Sequence, residues 1–157
     1  PEQTIEFEGF YHLLGIEGNV EHATLSYIIR DHDRKRFEKR KAFVQKAAEW
    51  MNERYGEGVV TATINDQYYN MREKIEPVPH VVDIVIEAMK QCNIPSKVRA
   101  IRGGTDGAQL SFMGLPCPNI FAGGLNFHGP HEFLPIPSLK KASELVVKII
   151  ELTAQRG

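Results

Sequence analysis

Residues 23–66 read ATLSYIIRDHDRKRFEKRKAFVQKAAEWMNERYGEGVVTATIND, and their periodicity changes twice. In residues 23–31, Leu25, Tyr27 and Ile29 share one face, with Thr24, Ser26, Ile28 and Arg30 on the other. That alternation predicts a strand in a sheet with one covered face. Over residues 33–55 the apolar positions Phe37, Val44, Ala47, Ala48, Met51 and Tyr55 recur at helical spacing, while Lys39, Arg40, Lys41, Lys46 and Glu49 mostly take the other side. Asp33 is placed to cap the helix N-terminus, and Gly56 and Gly58 to end it. Residues 59–66 (VVTATIND) alternate again and predict another strand.

Upstream, residues 9–15 (GFYHLLG) read as a strand, and Glu17-Gly18-Asn19 supplies turn chemistry for a hairpin. The order strand, strand, helix, strand is a βαββαβ sandwich lacking its first strand and helix. Between Asn70 and Pro79 the pattern lapses over two prolines, which places a domain junction there. Beyond it, residues 80–93 predict a helix carrying Val81, Val82, Val85, Ala88 and Met89. Short strands follow at 98–101 and 118–121. A last helix spans 138–156, with Ser138 as N-cap and Ala142, Leu145, Val146, Ile149 and Leu152 facing inward. Neither half closes on itself, so each leaves a bare sheet edge or apolar strip.

The chain has 157 residues, 42% apolar and 25% charged, enough for one domain or two small ones. Nineteen Lys and Arg against twenty Asp and Glu leave a formal charge of -1, which gives no electrostatic case for nucleic acid or an anionic membrane surface. No apolar run approaches the ~20 residues that span a bilayer. Cys92 and Cys117 make no disulfide framework and fit a reducing, cytoplasmic compartment. The chain starts at Pro1, as a processed protein or a piece of a longer one would.

Two loops carry candidate chemistry. Arg102-Gly103-Gly104-Thr105-Asp106-Gly107 lets the backbone pass close to a ligand and offers a planar guanidinium suited to a carboxylate, or it is a tight turn with a solvated arginine. It matches neither a phosphate loop nor a dinucleotide fingerprint. In Gly123-Gly124-Leu125-Asn126-Phe127-His128-Gly129-Pro130-His131-Glu132, two imidazoles and a carboxylate share a loop in which Gly129 and Pro130 argue against a helix. They are metal ligands or two surface histidines. Cys117, between prolines, reads as a packed thiol. The mixed-sign stretch RDHDRKRFEKR at 30–40 reads as a solvated helix start.

At these loops the sequence becomes familiar. IRGGTDGAQLSFMGLPCPNIFAGG followed by NFHGPHEF closely resembles the C-terminal end of the aminotripeptidase family of co-catalytic dizinc exopeptidases. EGFYHL, SYIIRD-x-DR, YYNMREK and ELTAQR extend the resemblance in the expected order over nearly the whole chain. The resemblance implies an α/β architecture in two parts. Residues 1–72 would form a partial ferredoxin-like βαββαβ lid, able to dimerise, and residues 73–157 the C-terminal part of an α/β zinc-exopeptidase catalytic domain. It implies that His128, with Glu132 four positions on, ligates one of two zinc ions, leaving His131 spare. It further implies that Arg102 grips the C-terminal carboxylate of a tripeptide, with Arg30 as a second carboxylate-binding group and Asn65 and Asn70 as hydrogen-bonding candidates. The family's other ligands, a His-x-Asp pair, a bridging Asp and a Glu-Glu pair holding the general base, find no matching His-x-Asp or Glu-Glu in this sequence. The expectation is therefore a C-terminal fragment of a zinc aminotripeptidase, inactive by itself. The alternatives are a related dizinc aminoacylase or carboxypeptidase, or a non-catalytic dimerisation or peptide-binding module.

Overall fold

A computed structural model describes residues 3–156 as an α/β chain with one two-stranded antiparallel sheet and five helices among the described residues. The elements are β1 (Phe10–Gly18), β2 (Ala23–Arg30), α1 (Arg34–Tyr55), α2 (Arg72–Ile75), α3 (His80–Gln91), α4 (Asp106–Phe112) and α5 (Ile136–Ala154). The chain divides into two compact units. One holds Pro1–Asn70 with Ala100–Gly104, the other Met71–Arg99 with Thr105–Gly157.

In the first unit β1 and β2 form the expected hairpin, with β1 running on through Gly18 so that the turn begins at Asn19. The ladder runs from Phe10↔Arg30 to Gly18↔Ala23, with a bulge between Leu13 and Gly15. Asn19 makes the turn, its Oδ1 accepting from the N–H groups of Glu21 and His22 at 2.9 and 3.0 Å. α1 begins where Asp33 Oδ1 accepts from Arg36 N at 2.8 Å and ends at Gly56.

The link between hairpin and helix is electrostatic. The Asp31 side chain is fully buried and accepts from Arg40 Nε at 2.9 Å and Arg36 Nε at 3.3 Å, while Asp33 N donates to its Oδ1 at 3.0 Å. Gly9 closes over this pair: a Cβ there would lie 2.2 Å from Asp31 Oδ2 and 2.6 Å from Arg40 Nε. Burial alone would raise the Asp31 carboxyl. The Arg40 and Asp33 hydrogen bonds and the charges of Arg36 and Arg40 outweigh it and hold the group below its ordinary value.

Residues 59–66 correct the sequence reading. They alternate as a strand does, with Val60, Ala62 and Ile64 half-buried and Val59, Thr61 and Thr63 exposed, yet they join no ladder. Side chains tether this stretch instead. Asn52 brackets Val60, donating to its O at 2.8 Å and accepting from its N at 2.7 Å. Lys41 pairs with Asp66 at 2.8 Å, and Phe37 meets Tyr69 edge-on at 6.0 Å. The covered face expected for the hairpin is covered only at its base, where Tyr11 meets Phe43 and donates to Arg40 O. Leu13, Ile16, Leu25 and Tyr27 stay exposed.

In the second unit α3 packs on α5 and α2 on α4. Ala88 and Leu145 are fully buried. Ile84, absent from the expected set, is buried as well, whereas Val146 is 44% exposed. The strands expected at 98–101 and 118–121 do not form, because no described segment pairs with them. Between them lies α4, a helix the glycine-rich sequence disguised: Thr105 caps it, and Ser111 Oγ donates to Gly107 O at 2.7 Å and accepts from Cys117 N at 2.9 Å. Ser138 is not the cap of α5. The helix starts two residues earlier, after Pro135, with Pro137 in its first turn, where a missing N–H costs nothing.

Asp31→Asn strands two guanidinium groups around a neutral amide and is expected to cost about 3 kcal/mol in chemical unfolding. Because the Asp31 pKa is depressed on folding, its contribution is complete above the unfolded value near 3.8 and is lost as pH falls through the lower folded value. The parent's stability should therefore drop on acidification below about pH 4, and the Asn variant should lose the part of that drop that Asp31 contributes.

Candidate functional site

Arg30 ends β2, and its register partner is Phe10. Its Nη1 donates to Ile29 O at 3.2 Å, its Nη2 to Gln67 Oε1 at 2.9 Å, and its guanidinium lies 4.9 Å from the Tyr68 ring centroid. Arg102, in the same unit, stacks over the Phe10 ring at 4.8 Å. Its Nη1 donates to Thr4 O at 2.6 Å and its Nη2 to Thr4 Oγ1. Because Phe10 faces Arg30 across the ladder, both arginines gather at the open end of the hairpin. Each is half-buried, and neither forms a salt bridge among the described residues.

That distinguishes them from Arg34, Arg36, Arg40 and Lys41 of α1, whereas Lys35, Lys39, Lys46 and Arg54 differ from them in being exposed. Arg36 and Arg40 hold Asp31, Arg34 reaches Glu38, and Lys41 lies 3.0 Å from Glu38 and 2.8 Å from Asp66. Those charges are spent on acids of the chain. Arg30 and Arg102 are held by neutral oxygens and ring faces, which fix the group and leave its charge uncompensated. Such a pair can bind an anion with two planar, multi-donor cations.

The other sequence-predicted residues are placed less tellingly. Asn65 is exposed beside Asp66, and Asn70 Nδ2 donates to His32 O at 3.2 Å, tying the extended segment to the start of α1. His128 lies in the second unit, in a loop closed by the Leu125↔Phe133 bridge. Its backbone is left-handed, with φ 64, and its side chain is exposed. Glu132 turns back so that its Oε2 accepts from His128 N at 3.0 Å, and Asn126 Nδ2 donates to His131 O at 3.3 Å. The loop thus presents the His128 imidazole at a strained, tethered position.

No cluster of three or more His, Cys, Asp or Glu able to hold a metal occurs among the described residues. A catalytic zinc takes about three protein ligands. Cys92 and Cys117 are free thiols. No helix among the described residues is long and apolar enough to cross a membrane.

Sequence reasoning missed Gln67, Tyr68, Thr4 and Phe10. The Tyr68-Tyr69 doublet in a polar tract was the visible signal, but its contact with Arg30, 38 residues earlier (68 − 30), is set by folding.

No protein-family model matches the chain. Curated relatives do. Peptidase T of Parabacteroides distasonis is 59% identical over 157 residues, covering 100% of this chain and 38% of the relative. Peptidase T of Bacillus licheniformis is 57% identical with the same coverage, and that of Clostridium novyi is 55% identical over 97% of this chain and 37% of its own. A solved tripeptidase from Staphylococcus aureus superposes with a TM-score of 0.67 at 20% identity, covering 94% of this chain and 40% of its own, which establishes likeness of fold. The chain thus spans well under half the length of these proteins.

His128→Ala should leave thermal stability within about 0.5 kcal/mol of the parent, because the imidazole is exposed and no structural bond depends on it. A loss well beyond that in calorimetry would show that the ring serves the fold.

Proposed function

We propose, for a chain that matches the C-terminal portion of peptidase T along its whole length, that it belongs to a zinc-dependent aminotripeptidase that removes the N-terminal residue from tripeptides. The observation that carries this reading is the pair Arg30 and Arg102, two half-buried guanidinium groups without an acidic partner among the described residues. A free tripeptide ends in a carboxylate, and a planar guanidinium fork is the side chain best matched to it. Fixed cations at one end of a cleft also measure peptide length, because a substrate one residue longer or shorter cannot reach the reacting centre and the clamp together.

Residues 1–72 form the partial ferredoxin-like lid and residues 73–157 the C-terminal part of the catalytic domain. Asn65 and Asn70, on the extended stretch that follows α1, hydrogen-bond the peptide. His128 gives one ligand to a zinc centre whose remaining ligands lie outside this chain. Zinc would supply Lewis-acid polarisation and a water of lowered pKa. The chain's own contribution is to bind and orient the far end of the peptide. The exposed Leu13, Ile16, Leu25 and Tyr27 face of the hairpin supports a homodimer through the lid. The free thiols of Cys92 and Cys117 fit a cytoplasmic setting.

The test is a chimera in which this chain replaces the matching portion of Parabacteroides distasonis peptidase T. It should release the N-terminal alanine of trialanine in a zinc-dependent reaction. The 157-residue chain alone should release none. Arg102→Gln in the chimera should raise KM for trialanine by about tenfold or more while affecting a C-terminal amide little. A folded chimera that cleaves acylated amino acids and ignores tripeptides would replace this reading with an aminoacylase.

A further inference from the structure

Tyr68 is placed by two contacts that the carboxylate reading does not use. On one side its ring carries the Arg30 guanidinium, 4.9 Å from the centroid, while its neighbour Gln67 accepts from Arg30 Nη2 at 2.9 Å. The hydroxyl end of its ring also lies against Gly104. A Cβ at Gly104 would lie 2.0 Å from the Tyr68 hydroxyl oxygen, 2.4 Å from Cζ and 2.7 Å from Cε1. Real Cβ atoms do not approach that closely, so any residue but glycine at 104 displaces the ring. All of these residues belong to one compact unit.

Tyr68 Oη and Arg102 Nε are buried side-chain polar atoms without a hydrogen-bond partner among the described residues. The contact that Tyr68 makes with Arg30 runs through its ring. The ring face is what Arg30 needs, since a flat aromatic surface holds a guanidinium in one plane without neutralising it. An acid in the same place would hold it as firmly and cancel the charge.

We propose that Tyr68, wedged in place by Gly104, is a positioning residue that presents the Arg30 guanidinium to a peptide carboxylate. Gly104 acts at one remove: its missing side chain is the space the Tyr68 ring occupies, and the ring sets the plane of the arginine. The proposal rests on the carboxylate-binding reading of Arg30 and adds a specificity: the pair serves ligands with a free C-terminal carboxylate and is indifferent to amides.

The experiment titrates the 157-residue chain with trialanine and with trialanine amide, followed by NMR. The parent should bind the free acid more tightly than the amide. Tyr68→Leu and Gly104→Ala should each weaken trialanine binding about tenfold and leave the amide unchanged. Tyr68→Phe, which keeps the ring and removes an unsatisfied buried hydroxyl, should bind both ligands within about twofold of the parent and unfold at the same or a higher temperature. Each of three results overturns the proposal: a parent that does not distinguish acid from amide, a Leu variant that binds trialanine as the parent does, or a Phe variant as weak as the Leu variant. If the chain discriminates as expected while the chimera hydrolyses no tripeptide, the peptidase reading fails and the positioning role of Tyr68 stands.

Discussion

A fully buried carboxylate, Asp31, holds the first unit in register. It follows directly on β2 and gathers two guanidinium groups from the first turns of α1, so the end of the hairpin and the start of the helix cannot move independently. A buried charge left unpaired would cost several kcal/mol, roughly the effective desolvation penalty of one ion. The arrangement therefore tolerates little slack. Gly9 is part of it, because a side chain there would occupy the space of the Asp31–Arg40 contact. The consequence reaches one residue back along the chain: Arg30, adjacent to Asp31 and paired with Phe10, inherits a fixed backbone.

The basic residues of this region divide into two populations that composition cannot separate. Within RDHDRKRFEKR, Arg36 and Arg40 share the Asp31 carboxylate, while Arg30 is held by an amide oxygen and a ring. The net charge of -1 conceals this, because it sums groups whose partners differ. What decides whether a cation is available to a ligand is the identity of its nearest acceptor. Here that identity is set by contacts 37 and 38 residues away in sequence, to Gln67 and Tyr68 (67 − 30 and 68 − 30).

The same distinction between local and distant causes explains what could be read in advance. α1 was legible from Asp33 to Gly56 because its cap and its terminator each act on backbone groups a few residues away, whereas of the expected apolar stripe Ala47, Met51 and Tyr55 stay exposed. The hairpin was legible for the same reason, though of the expected turn Glu17-Gly18-Asn19 the first two residues lie in β1 and Asn19 sets the turn. Residues 59–66 carry a strand's alternation, but a ladder needs a second backbone, and Asn52 and Lys41 hold the segment with side chains instead. α4 was hidden because Gly107 and Ser111, which look like turn residues, are what let it pack closely: both are buried, and Ser111 bonds its own helix and the Cys117 N–H. Of the candidate site, Arg30, Arg102 and His128 were visible as residue types in suggestive settings. The Tyr68–Gly104 contact was not, because nothing near either residue encodes the other.

The buried apolar side chains among the described residues are Ala48, Ile84, Ala88, Ala108 and Leu145, three of them alanines. Alanine methyls bury little area, so hydrophobic burial at roughly 25 cal/mol per Å² supplies modest cohesion here. Directed bonds must carry a larger share: the Asp31 pair, the Asn52 bracket on Val60, and the Ser111 link to Cys117. Meanwhile Leu13, Ile16, Leu25 and Tyr27 on the hairpin, and Val146, Val147 and Ile150 on α5, remain in water. The peptidase T relatives carry this stretch inside chains of which it spans 38%, so they possess further polypeptide with which such faces can be covered. Short-range ion pairs and bracketing amides fix side chains with little core, which is how the Asp31 pair and the Asn52 bracket hold the first unit together while the apolar face of its hairpin stays bare.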